Sequence, residues 1–382
     1  MRTRRLLIQN QIFPYLGLRL GLDEFQIGLI SSSFSFCQLF ASPITGKLSD
    51  RYGRKPMLII SQISTLTGFL LLGVADAVYI LILARVVDGL LGSNMTVSQA
   101  VISDLTDHEN RTHAYSYSTG VFGAGLIIGP AIGGAMVQIN FALPMFFAAG
   151  LSLLSIILVL FLLPETNPNA DDELSLKFND VIPIKDAKRF LKTKPTNQLI
   201  IMFFFYIFGF MLCVNNLTLY AINKYDIAVE MASYYRVWIG ILRVILQGFF
   251  VNRFIRKKGE PIILKTGIIA LIATLIGLIF IDDFLWVLLP LAFLSYGSGV
   301  ARPILTSQIT KSVTDKEYAT VLGVSNSLNS IAQIISPSLG GALIQYSSYE
   351  FVPLLSASLF IVVLILSLLY NDTSVTQKKK NQ

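Results

Sequence analysis

The strongest constraint on this chain is a set of apolar runs too long and too free of charge to serve as a soluble core. Phe141 to Leu163 and Phe351 to Tyr370 contain no Asp, Glu, Lys or Arg. At about 1.5 Å of helical rise per residue, each can cross a hydrocarbon layer of about 30 Å. Composition agrees: of 382 residues, 53% are hydrophobic and 14% charged, against roughly a quarter charged in soluble domains. The apolar excess must face lipid. The formal charge of +7 does not argue for nucleic acid, because the basic residues sit in short loops between apolar runs and not on one folded face. Cys37 and Cys213 lie inside apolar segments, where a small polarizable side chain is ordinary filling, so neither a disulfide nor a metal site is expected. Met1 to Arg5 is basic, but Gln9, Asn10, Gln11 and Arg19 follow without a small-residue cleavage site. The segment is expected to be retained and not removed as a signal.

Pattern and loop chemistry predict twelve helical spans, near residues 6–20, 25–46, 56–75, 78–104, 113–138, 141–163, 197–222, 230–251, 261–281, 284–310, 318–345 and 350–370. The first is short. If both termini are cytoplasmic, 23 of the 30 Lys and Arg lie on that side and two, Arg19 and Lys224, on the other. Basic residues are held on the cytoplasmic side during insertion, so the imbalance orients the chain. The expected organisation is an N-terminal bundle of six helices over 1–163, a polar linker over 164–196, a second bundle over 197–370 and a cytoplasmic tail over 371–382.

The two bundles read as a duplication. Gly46-x-x-x-Asp50-Arg51-x-x-Arg54-Lys55 returns as Gly248-x-x-x-Asn252-Arg253-x-x-Arg256-Lys257, and Pro130-Ala-Ile-Gly133-Gly134 returns as Pro337-Ser-Leu-Gly340-Gly341. Two motifs in the same order at nearly the same offset indicate structural repeats. Parallel repeats related by an axis along the membrane normal are a transporter plan, with solute bound near midplane between the halves.

Three motifs carry more than topology. Gly46 to Pro56 joins the second and third spans; Gly46 permits close helix approach, Gly53 suits a tight turn, and Asp50 can accept charge-assisted hydrogen bonds from cations or a helix N-terminus. The plain alternative is a basic loop that only sets orientation, which would need neither Asp50 nor the glycines. On the fifth span, Gly125, Gly129 and Gly133 recur every four residues beside Pro130 and Gly134, a small-residue face with a bend. On the fourth, Arg85 and Asp88 stand three residues apart and can pair. Asp88 is the one carboxylate well inside a predicted span. A conformer that brings Arg85 close favours its carboxylate and one that separates them favours the neutral acid, which would couple protons to transport; the alternative is a permanently ionised structural pair.

Arg236 and Arg243 share a face of the eighth span two turns apart, and Arg302 sits in the tenth. More cations than carboxylates suit an anionic, zwitterionic or hydrogen-bonding solute, although these side chains could instead bond carbonyls or reach outward. Asn215 and Asn216 on the seventh span and Asn326, Asn329 and Gln333 on the eleventh fit either cavity lining or interhelical hydrogen bonding. His108 and His113 read as solvated loop residues. No paired carboxylates or His-rich constellation suggest catalysis, so no enzyme activity, cofactor or metal is expected.

The Gly46 to Pro56 loop resembles the signature loop of the major facilitator superfamily, and the resemblance extends over nearly the whole chain. Arg85-Val-Val-Asp88-Gly89 is similar to the arginine motif of the family's fourth helix, and Gly125 to Gly134 to its antiporter motif. With Pro164-Glu-Thr closing the sixth span, the chain is most similar to the tetracycline-efflux type of drug:proton antiporter. The resemblance implies a latch at Gly46, Asp50, Arg51, Gly53, Arg54 and Lys55, and export of a small, amphiphilic solute in exchange for protons from a monomer in a prokaryotic cell membrane. An uptake carrier or facilitator would share the fold. In that type an acidic residue lies in the first span about a dozen residues before a proline that aligns with Pro14; counting back here reaches Arg2. Either further residues precede this start or the proton role has moved, and Asp88 is then the substitute.

Overall fold

The structure is a computed structural model and describes residues 12–92, 94–106, 125, 128–129, 132–136, 139–140, 142–166, 188–227, 229–246, 258–313 and 318–370. Regular structure among the described residues is entirely helical. The helices are α1 (Ile12–Arg19), α2 (Glu24–Tyr52), α3 (Arg54–Gly73), α4 (Val78–Leu91), α5 (Asn94–Leu105), α6 (Leu143–Leu162), α7 (Thr196–Tyr225), α8 (Val229–Ile245), α9 (Glu260–Phe280), α10 (Leu288–Lys311), α11 (Tyr318–Tyr346) and α12 (Phe351–Leu369). Among the described residues, seven spans are long and apolar enough to cross a membrane, or eight with the bent α2. The predicted fifth span falls mostly outside the described residues.

Local chemistry sets the helix ends. Asp23 and Gln26 form a reciprocal capping box at the start of α2, with Gln26 N donating to Asp23 Oδ1 at 2.7 Å and Asp23 N to Gln26 Oε1 at 3.1 Å. The α2 axis turns by 42° between Ser42 and Ile44, at Pro43, whose nitrogen has no hydrogen to donate. The span predicted over 78–104 is found as one apolar stretch, Val78–Ile102, carried by α4 and α5; Gly92, which caps α4, donates its N–H to Asp88 O at 2.7 Å.

Close proximity of Cα atoms divides the chain into two compact units. The first is Met1–Ile182 with Ile227–Val237 and Pro337–Gln345; the second is Pro183–Asp226, Trp238–Ser336 and Tyr346–Gln382. In the first, Leu16, Ile27, Ile30, Leu72, Leu81, Ala84 and Met145 form one core cluster, and Met57, Leu58 and Val97 another. Small residues let the backbones meet. A Cβ on Gly89 of α4 would lie 2.7 Å from Phe34 O and 2.8 Å from Cys37 Cβ on α2. In the second unit, Gly297 of α10 plays that part, where a Cβ would lie 2.6 Å from Leu271 Cγ on α9. The outward face of α6 stays apolar and exposed at Leu151, Leu154, Leu158 and Phe161, as a lipid-facing surface requires.

The duplication is visible in the backbone. Gly53 precedes α3 at φ 96°, ψ 154°, and Gly259 precedes α9 at φ 83°, ψ 153°. The structural counterpart of Gly53 is therefore Gly259, four residues beyond the position that the loop motif alone aligns with it. From each glycine the following helix begins with a charged residue that pairs with the far end of the next long span. Arg54 Nε donates to Asp104 Oδ2 at 2.9 Å, while Lys311 Nζ donates to Glu260 Oε1 at 2.7 Å. The same bridge is built twice with its charges exchanged.

Since either polarity holds this corner, Arg54→Glu is expected to destabilise by about 1 kcal/mol or more through like-charge contact with Asp104 and Asp50, and Asp104→Lys in the same chain to recover part of the loss. Thermal unfolding in detergent checks this, and a double variant no more stable than the single one would contradict it. Gly89→Ala should cost about 1 to 3 kcal/mol by forcing α2 and α4 apart. Gly150→Ala on α6, where a Cβ meets nothing within 4 Å, should be neutral in the same assay.

Candidate functional site

Three polar clusters stand out from the apolar helices. The first gathers the signature loop. Arg54 donates from Nη1 to Asp50 Oδ1 at 2.5 Å and to Ser49 Oγ at 2.7 Å, besides its bond to Asp104. Thr166 Oγ1 also donates to Asp104, at 3.2 Å. Glu165 follows Pro164 just beyond α6, and its two oxygens accept from Arg54 N at 2.8 Å and Lys55 N at 3.1 Å. A carboxylate there satisfies the free N–H groups of the first turn of α3 and complements its dipole. Lys55 Nζ in return donates to Leu160 O at 2.8 Å, in the last turn of α6. Gly53 is required here, because a Cβ would lie 2.5 Å from Glu165 Oε2 and the backbone φ is positive. Gly46 faces Thr96 of α5, with 3.5 Å between a Cβ and Thr96 Cγ2. Arg51 lies 5.3 Å from the ring of Tyr52.

Of the two partners expected for Asp50, a cationic group or a helix N-terminus, the structure shows the cation, Arg54 one turn on, while Glu165 accepts from the N-terminus of α3. Ser49, Asp104 and Glu165 were not singled out, although the Pro164-Glu-Thr signal was present in the sequence.

The second cluster surrounds Asp88, half-buried on α4. Thr65 of α3 donates from Oγ1 to Asp88 Oδ1 at 2.8 Å, and Asn94 of α5 donates from Nδ2 to Thr65 Oγ1 at 2.9 Å. Ser64, next to Thr65, donates to Val87 O at 2.7 Å. Gly68 makes room for the acid, since a Cβ there would be 3.0 Å from Asp88 Cβ. Arg85 is close enough for its charge to act on Asp88, and its guanidinium lies 6.0 Å from the Phe34 ring centre on α2. Asn94 Oδ1 is buried with no hydrogen-bond partner among the described residues. Neither Thr65 nor Asn94 carries a sequence signal, because one hydroxyl and one amide within spans are ordinary.

The third cluster lies in the second unit. Arg243 Nη2 donates to Ser298 O at 3.4 Å and Tyr206 Oη to the same carbonyl at 3.5 Å. Tyr206 is fully buried and within electrostatic reach of both Arg243 and Arg302. The side chain of Arg236 lies outside the described residues. Asn216 is buried and donates to Leu212 O at 2.9 Å and Ser336 O at 3.0 Å, while Asn215 donates to Ser336 Oγ at 2.8 Å. Both asparagines therefore join α7 to α11. Asn326 is exposed, Gln333 is half-buried, and Asn329 Oδ1 is buried without a partner among the described residues.

Of the glycine motif on the fifth span, Gly133 and Gly134 are buried and Gly125 and Gly129 exposed, with nothing described within 4 Å of a Cβ at either. Pro130 lies outside the described residues. The second copy is tightly packed within the first unit: a Cβ on Gly341 would lie 2.8 Å from Glu24 C, and one on Gly28 2.7 Å from Pro337 C. No group of three or more His, Cys, Asp or Glu that could hold a metal occurs among the described residues.

The family model described as Major Facilitator Superfamily matches residues 7–337 and 292–382. The class B tetracycline resistance protein of Escherichia coli is 27% identical over 362 residues, covering 93% of this chain and 88% of that protein. Multidrug resistance protein 2 of Bacillus subtilis is 28% identical over 398 residues, covering 98% and 95%. Among solved structures, the human organic anion transporter MFSD10 (TETRAN) superposes with a TM-score of 0.69 at 19% identity over 94% of this chain and 89% of that one. The nucleoside transporter NupG superposes with a TM-score of 0.74 at 14% identity over 94% of each. A family model that spans nearly every residue, on helices arranged as in these two structures, means that this chain belongs to the major facilitator superfamily.

Proposed function

We propose that this chain is a proton-coupled exporter of a small, amphiphilic solute that works by alternating access, with Asp88 as the proton-carrying group and Arg85 as its modulator. The observation that carries the reading is the position of Asp88, a lone carboxylate within a span that is hydrogen-bonded to Thr65 and within reach of Arg85. An ionisable group at that depth is costly unless it has partners, and is a functional candidate for that reason. Resemblance to tetracycline and multidrug resistance proteins over nearly the full chain supports export.

The hydrogen-bond chain from Asn94 through Thr65 to Asp88 suits a group that changes charge. With Asp88 ionised, Asn94 donates to Thr65 and Thr65 to the carboxylate. A protonated Asp88 becomes a donor to the Thr65 hydroxyl, which then rotates toward Asn94 Oδ1, the oxygen left unpartnered among the described residues. Rotation of the near-isosteric carboxamide serves the same end. Both protonation states thus keep their bonds, and the change between them can bias one conformer over the other.

In this reading residues 1–163 and 197–370 are two six-helix bundles that rock about the solute, joined by the linker 164–196, with the tail 371–382 and both termini in the cytoplasm. The protein acts as a monomer in the cell membrane. The cluster at Gly46, Asp50, Arg51, Gly53, Arg54 and Lys55 stabilises one conformer, and Gly125, Gly129, Pro130, Gly133 and Gly134 form the packing face of the antiporter motif. Arg236, Arg243, Arg302, Asn326, Asn329 and Gln333 contribute to the solute cavity, whose walls are held by Asn215 and Asn216.

Transport in proteoliposomes, with and without an imposed pH gradient, tests the coupling. Asp88→Asn should abolish uphill transport yet preserve downhill exchange, and an Asp88→Asn protein that still concentrates solute against its gradient would remove Asp88 from the role. Thr65→Val removes a bond from both states of the acid, and the ionised state loses more, because its charge-assisted bond is worth about 1.5 to 3 kcal/mol against about 0.5 to 1.5 for a neutral one. The pH profile should therefore move upward by about one unit or more, whereas Thr65→Ser leaves it in place. Accumulation instead of extrusion by correctly oriented vesicles would mark an uptake carrier.

A further inference from the structure

The second unit carries an electrostatic imbalance that its helices do not resolve. Apart from Glu230 and Glu260 in first turns, the segments α7 to α12 contain no Asp or Glu, and both of those lie at helix ends. Arg302 nevertheless stands in the middle of α10, fourteen residues from its start, and Arg243 lies in the last described turn of α8. Arg302 therefore falls within an apolar span long enough to cross the hydrocarbon layer. Among the described residues neither has a carboxylate partner, and no carboxylic acid faces Arg243. Buried cations are retained where a counter-charge meets them, and none is supplied among the described residues.

The side chains between them can all donate hydrogen bonds. The Tyr206 hydroxyl and the Arg243 guanidinium share one carbonyl, Ser298 O, at 3.5 Å and 3.4 Å, long contacts that are readily exchanged. Ser298 Oγ is buried and has no hydrogen-bond partner among the described residues. Tyr206 and Ser298 are fully buried, whereas Arg243 and Arg302 keep partly exposed surface, so the first two form a floor and the arginines a rim. The Arg243 guanidinium and the Tyr206 phenol meet at Ser298, and Arg302 stands one turn beyond Ser298 on the same face of α10, with no carboxylate among the described residues beside them.

We propose that Arg243, Arg302, Tyr206 and Ser298 form an anion subsite that receives an ionised carboxylate or enolate of the transported solute. The arginines supply the charge, Arg243 offering the planar fork that suits a carboxylate, and Ser298 Oγ and Tyr206 Oη donate to its oxygens. The inference rests on the reading of this chain as a solute transporter, but not on Asp88 as the proton group.

The test compares two probes of the same shape, benzoate and neutral benzamide, by equilibrium binding of the radiolabelled compounds to the full-length protein in nanodiscs. Benzoate should bind saturably and at least about tenfold more tightly than benzamide, since a charge-assisted hydrogen bond separates them. Arg243→Gln and Arg302→Gln should each weaken benzoate binding about tenfold or more with little change for benzamide, and Arg243→Lys should recover part of it. Tyr206→Phe and Ser298→Ala, which preserve packing, should weaken benzoate by a smaller factor, and provide the readout if an arginine variant fails to fold. Equal binding of the two probes, absence of saturable benzoate binding, or benzoate binding that survives Ser298→Ala, Tyr206→Phe and the arginine substitutions would overturn the subsite. Benzoate binding and pH-driven transport are read in separate assays, so a failure of proton coupling and a failure of the subsite give different results.

Discussion

Everything in this chain answers to the cost of leaving a polar group without a partner in hydrocarbon. The backbone meets that cost by forming helices, whose hydrogen bonds close within each segment. The ends of the helices cannot do so, and there the chain spends its charged side chains. Glu165 accepts from the first free N–H groups of α3, Lys55 donates into the last turn of α6, and Lys224 donates to Leu278 O at 2.8 Å at the end of α9. Each contact joins one helix to the end of another, so satisfying termini also fixes which helices are neighbours.

With little hydrophobic drive between helices in lipid, close packing decides their approach. Gly89 against Phe34 and Cys37, and Gly297 against Leu271, are places where one added methyl group would displace a backbone or a side chain. Gly89 immediately follows Asp88, so the residue that lets α4 meet α2 also sets the depth at which the acid faces Thr65 and Asn94. Packing and polar chemistry are coupled there by one position in the chain.

The two halves share a frame but have diverged in charge. Arg54 with Asp104 and Glu260 with Lys311 occupy corresponding corners with opposite polarity, which shows that a charge pair there is valued for cohesion in either direction. Inside the spans the divergence goes further, because the one deep carboxylate stands in the first half and Arg243 and Arg302 in the second. A duplicated scaffold freed from identical charge can devote each half to a different ionic partner, which is the division of labour that proton coupling and an anion subsite would use.

Membrane residence, the helical class and the duplication were legible in the residues alone, because a charge-free run of some twenty residues and a recurring motif depend on composition and order, not on contacts. That Asp88, Arg85 and Arg302 stand in apolar segments was legible for the same reason. Their partners were not. Thr65, Asn94, Tyr206 and Ser298 are commonplace residues made special only by which helices meet, and Glu165 lies 111 residues from the Arg54 backbone it caps. The loop motif aligned Gly46 with Gly248, but only backbone angles show that Gly259 repeats Gly53, since a short insertion shifts the register between them. Sequence determines what each segment can do in a membrane, while the choice of partner is decided by three-dimensional packing, because hydrogen bonds and ion pairs act over a few ångströms of space irrespective of distance along the chain.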